Sequence, residues 1–133
     1  MKPKYPHMRQ WEEKIMTKFH DLKLLKAEWT YDVPLKVRHT PTPDYMTRNE
    51  NALWQILTSK RIDALGETPT EIYVCEIKDR LRPSALGQAL TYKTLYEEQY
   101  APTKPIIPAI ITEYDDLDMQ HVCDHYKTKV WVI

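Results

Sequence analysis

Glycine is nearly missing from this chain: Gly66 and Gly87 are the only two among 133 residues. Loops that cradle phosphates with backbone amides need several glycines close together, so nucleotide-binding loops of that kind are excluded and no nucleotide cofactor is expected. Cysteine is also scarce. Cys75 and Cys123 are the only thiols, too few for a disulfide framework, and a reducing, cytoplasmic compartment is expected. No apolar run reaches the length of a membrane span, and the opening Met-Lys-Pro-Lys-Tyr-Pro-His is polar and proline-rich, unlike a secretory signal. An excess of charge of either sign is lacking too: 19 basic and 19 acidic side chains leave a formal net charge of zero. A protein held on nucleic acid by bulk positive charge is thereby excluded, though a local basic face is not. Ten prolines against two glycines lower the entropy of the unfolded chain, as expected of a heat-adapted source.

What is present reads as one α/β domain over residues 1–133. Met8, Trp11, Ile15, Phe19, Leu22 and Leu25 recur at helical spacing and predict a first helix within 8–26. Trp29, Tyr31, Val33 and Leu35 alternate with more polar neighbours and predict a strand over 27–37. Pro41 and Pro43 mark a loop, and Asn49 is placed to cap a short helix over 50–58. Two strand-like runs, 61–65 and 71–78, flank a turn containing Gly66 and Pro69 and predict a β-hairpin. A helix over 84–99, a strand over 105–114, a helix over 117–127 and a strand over 128–133 follow. Pro108 cannot donate to a ladder, so its strand is expected to carry a bulge or lie at an edge. The crossover from Lys78 to Ile106 implies parallel pairing, and with the antiparallel hairpin it predicts a mixed central sheet flanked by helices.

The hairpin carries the chemistry. Along Glu71–Lys78, alternation puts Glu76 and Lys78 on one face with Ile72 and Val74, and Tyr73, Cys75 and Ile77 on the other. A strand this apolar on both sides is expected to be buried on both. A Glu and a Lys at its end are then costly unless paired or set around a metal. Hairpin pairing brings Asp63 beside Glu76, so two carboxylates and an amine meet at one sheet edge.

Asp63, then Glu76-Ile77-Lys78, then a helix carrying Gly87-Gln88 and Tyr92 resembles the PD-(D/E)XK nuclease superfamily, which includes type II restriction enzymes and archaeal Holliday-junction resolvases. The likeness covers about Lys60 to Tyr96, and Ile62 stands where that family's proline precedes the aspartate. The resemblance implies a restriction-endonuclease-like fold and a metal-dependent endonuclease acting on DNA, branched or junction DNA included. It makes Asp63 and Glu76 ligands of Mg²⁺, with Mn²⁺ as a substitute, and the Ile77 backbone carbonyl a further ligand. It makes Lys78 the group that assists the attacking water and the developing charge, with Gln88 close by. Family members often add a glutamate from the first helix. Here Glu12 lies at the border of the apolar stripe and Glu13 almost opposite it, so Glu12 is the candidate.

Arg61, Arg80, Arg82 and Lys93 flank these positions and are candidates to grip phosphates. One site cuts one strand, so a homodimer is expected, with the apolar C-terminal strand either contributing to its interface or completing the core sheet. His121 and His125 share a helix face at a spacing used by zinc pairs, but no second pair completes a site. The alternative reading is a catalytically inactive nuclease fold serving as a DNA-binding or assembly module.

Overall fold

A computed structural model describes residues 8–36, 47–50 and 60–133. Five strands form one sheet in the order β1-β2-β3-β4-β5: β1 (Glu28–Leu35), β2 (Lys60–Glu67), β3 (Ile72–Arg80), β4 (Ile106–Tyr114) and β5 (Lys129–Val132). β1, β2 and β3 pair antiparallel, while β3, β4 and β5 pair parallel. Helix α1 (Gln10–Asp21) covers one face. Helices α2 (Pro83–Tyr100) and α3 (Leu117–His125) belong to the other. The chain is therefore α/β with a mixed sheet flanked by helices. Among the described residues no helix is long and apolar enough to cross a membrane.

Helix α1 buries Ile15, Met16 and Phe19 against Ala64, Cys75, Ile77, Ala109 and Ile111. It stops at Asp21 because Lys23 turns left-handed at φ 52, a termination made without glycine. Leu22, placed by periodicity on the apolar stripe, consequently sits past the helix end and is 50 % exposed. An aromatic clasp holds α1 down: Phe19 meets Trp29 and Trp131 edge-on at 5.6 and 5.1 Å.

Alternation in β1 does not run the full strand. Trp29 and Tyr31 pack on the α1 side, whereas Val33 and Leu35 join the α2-side cluster with Ile62, Ile72 and Val74. The switch falls at Asp32, whose φ of 53 breaks the pleat between the Tyr31↔Ala64 and Val33↔Ile62 pairs.

Other expectations meet their physical limits in the same way. Gly66 lies within β2, not in the turn, because the Trp29 ring covers it and a Cβ there would stand 2.9 Å from that ring. The turn is made instead by Thr68, whose amide donates to the Glu71 carbonyl at 2.9 Å and whose hydroxyl accepts from the Thr70 and Glu71 amides. Pro83 is the first residue of α2, where its missing N–H costs nothing. Pro108 makes neither a bulge nor an edge strand: β5 pairs with β4 only from Ala109 onward, so Pro108 has a strand neighbour on one side alone. Residues 48–50 are helical, and Thr47, not Asn49, caps them by accepting from the Glu50 amide at 3.2 Å. The remainder of the expected helix over 50–58 lies outside the described residues.

Candidate active site

The β2–β3 ladder runs from Glu67↔Ile72 to Ala64↔Cys75 and ends there. At the next position, Asp63 and Glu76 face each other where the strands part. Asp63 Oδ2 accepts the backbone N–H of Ile77 at 3.0 Å, so a side chain serves a donor beyond the last rung. The two carboxyls are close enough for each to shift the other's titration. Glu76 is 5 % exposed, and its Oε2 has no partner. Lys78 Nζ lies 3.9 Å from the other oxygen, Oε1.

Two acids in so dry a place cannot both hold a charge cheaply. Burial, then the neighbouring Asp63, push the Glu76 carboxyl up to about 9, with Lys78 opposing. Burial also raises Asp63, opposed first by the Ile77 amide. Without a cation, the pair retains a proton at neutral pH. Cys75 points to the other face, and burial raises its thiol so that it stays protonated.

Helix α1 brings Glu12 within electrostatic reach of Asp63, Glu76 and Lys78. Burial and then Asp63 raise its carboxyl. Glu12 Oε1 also accepts the Arg9 amide at 3.3 Å, so this carboxylate serves the start of its own helix as well. Helix α2 covers the pair from the opposite side. Burial, then Glu76, raise the Tyr92 hydroxyl, and Gln88 Oε1 is buried without a partner. The i,i+4 spacing of Gln88 and Tyr92 sets both on the helix face toward the carboxylates. Thus β2 and β3 bring Asp63, Glu76 and Lys78 together, with Glu12 on α1 within electrostatic reach and Gln88 on the same face of α2 as Tyr92.

The four candidate phosphate-gripping cations do not assemble into one cluster. Arg61 pairs with Asp32 at 2.9 Å, Arg82 with Asp79 at 3.0 Å, and Lys93 with Glu97 at 3.2 Å. Arg80 lies over the Tyr114 ring, 5.1 Å from its centre. His121 and His125 are exposed and Cys123 is buried away from solvent.

One nearby residue escaped sequence reasoning. Thr112 sits beside Lys78 in the β3–β4 register, is fully buried, and its hydroxyl has no partner. The signal was a single hydroxyl closing the run Ile106-Ile-Pro-Ala-Ile-Ile-Thr112.

Among the described residues no three His, Cys, Asp or Glu side chains form a ready-made metal cage. The unpartnered Glu76 oxygen and the facing Asp63 carboxylate nevertheless fit a hard cation that keeps several of its own waters, as Mg²⁺ does. No thiolate or imidazole joins them, so the donor set does not suit zinc. No family model matches the chain, and comparison with curated proteins and with solved structures found no match.

Proposed function

We propose that this chain is a metal-dependent endonuclease of the PD-(D/E)XK type that hydrolyses DNA phosphodiester bonds. One observation carries the reading: a buried Asp63–Glu76 pair leaves a carboxylate oxygen unpartnered, with the Lys78 amine 3.9 Å from its other oxygen. Such an arrangement costs stability in an empty protein and is expected where a cation and a phosphate complete it. A mixed sheet with helices on both faces is in keeping with the restriction-endonuclease-like architecture this reading expects.

Asp63 and Glu76 would hold Mg²⁺ or Mn²⁺, with the Ile77 carbonyl as a further oxygen and Glu12 approaching from α1. When bound, the ion would polarise the phosphate and lower the pKa of the attacking water. The protein's own groups do the rest. Lys78 donates hydrogen bonds to charge developing on the phosphate oxygens. Gln88, with its free Oε1, accepts from the attacking water and orients it. Arg61 steadies a flanking phosphate once released from Asp32. A single site cuts a single strand, so cutting a duplex or junction calls for a homodimer. The test is a cleavage assay across single-stranded, duplex, flap and four-way-junction DNA with Mg²⁺ or Mn²⁺ and with chelator. Metal-dependent cutting supports the proposal, and no cutting of any substrate removes it.

A further inference from the structure

Beyond Lys78, the same face of the sheet carries an exposed aromatic ring. Alternation along β3 sets Glu76, Lys78 and Arg80 in one row. Parallel pairing places Thr112 beside Lys78 and Tyr114 beside Arg80. Two residues of strand put Arg80 and Tyr114 about 7 Å past Lys78, one nucleotide's reach from a phosphate held there. The Tyr114 ring is 58 % exposed, and Arg80 lies 5.1 Å from its centre. Its backbone is fixed, since the Leu81 amide donates to the Tyr114 carbonyl at 2.9 Å. Three residues on, Leu117 opens α3 at 83 % exposure. Single exposed apolar side chains need no explanation, but Tyr114 stands at the open end of the row that leads out of the candidate site, with Leu117 three residues on.

The charges around them select what can lie there. Asp115, Asp116 and Asp118, which follow Tyr114 in the chain, are all exposed and repel phosphate. A second DNA strand crossing this rim would bring its phosphates against those acids. A neutral base face would not, and an aromatic ring backed by a guanidinium is a stacking surface for any base.

We infer that Tyr114, backed by Arg80, stacks an unpaired nucleobase next to the scissile phosphate, so that the enzyme prefers DNA with a single-stranded segment at the cut over continuous duplex. The inference rests on the nuclease reading and specifies its substrate class.

The experiment compares cleavage in Mg²⁺ of one labelled sequence presented as single strand, as flap and as continuous duplex. It uses the parent protein, Tyr114→Ala and Tyr114→Trp. Binding is followed in Ca²⁺ by the fluorescence of 2-aminopurine placed beside the cut. The parent should favour the unpaired substrates and quench the fluorophore. Tyr114→Ala should lose about tenfold or more on unpaired DNA with little change on duplex, and Tyr114→Trp should keep the preference. Equal cutting of all three forms by the parent, or equal slowing of all three by Tyr114→Ala, overturns the inference and leaves the nuclease reading standing. No cutting of any form by the parent overturns both. A changed sedimentation coefficient for Tyr114→Ala with an unchanged cleavage preference gives the surface to a second copy of the chain and also overturns it.

Discussion

Asp63 accepts the Ile77 amide at 3.0 Å, so the position of one carboxylate is set by the backbone of the strand that carries the other. Glu76 precedes that amide directly. The spacing of the pair therefore belongs to the sheet and not to flexible side chains. Asp63→Asn keeps an acceptor for the amide and removes one charge, and should retain or gain stability. Asp63→Ala leaves a donor unserved where the ladder has ended, at a cost of about 1–3 kcal/mol. Urea denaturation of the two variants separates them, and equal stabilities would show that the Ile77 bond contributes nothing.

The raised Glu76 carboxyl sets how stability varies with pH. The folded chain holds a proton that the unfolded chain has released, so this group's stabilising share is full below about 4.5 and is lost as pH climbs through about 9. The metal-free protein should melt progressively lower across that window. Glu76→Gln should flatten the slope and melt several degrees above the parent at the alkaline end, at roughly 3–5 °C per kcal/mol. Mg²⁺ should raise the parent's melting temperature most at high pH, because the ion displaces the proton. It should leave Glu76→Gln nearly unmoved. Identical pH slopes for the two proteins would contradict this account of the pair.

Thr112 gives a test of the buried hydroxyl. With no partner for Oγ1, Thr112→Val replaces an unsatisfied group by a methyl of the same shape. The variant should be unchanged or more stable by about 1 kcal/mol. A clear loss of stability on calorimetry would mean that the hydroxyl is bonded in solution.

The two glycines should respond in opposite senses. A Cβ at Gly66 meets the Trp29 ring at 2.9 Å, so Gly66→Ala should cost about 1–3 kcal/mol by forcing the indole off the sheet. Nothing lies within 4 Å of a Cβ at Gly87, inside α2, so Gly87→Ala should stabilise by about 0.5–1 kcal/mol. Melting temperatures decide both, and a stabilising Gly66→Ala would contradict the packing described for β1 and β2.

The hairpin, the parallel crossover and the opposition of Asp63 to Glu76 were legible because strand alternation and loop chemistry are local. So was the shared face of Gln88 and Tyr92, which follows from helical pitch alone. The reversal of faces at Asp32 was not, since a left-handed aspartate inside a strand leaves no periodic trace. Gly66 looked like a turn residue until the Trp29 ring across the sheet accounted for it. Thr112 was hidden for a similar reason: its place beside Lys78 depends on the register between strands separated by a whole helix. The partners of Arg61, Arg80, Arg82 and Lys93 likewise depend on neighbours that composition does not reveal.

The cleavage rate of labelled DNA by the parent, Glu76→Gln and Lys78→Ala in Mg²⁺, each shown to be folded, tests the central claim most directly. The parent should cut, stop in chelator and resume when Mg²⁺ is restored, and each variant should be slower by about a hundredfold or more. Parental cutting by either variant, or cutting by the parent that persists in chelator, would contradict the claim that Asp63, Glu76 and Lys78 form a metal-dependent active site.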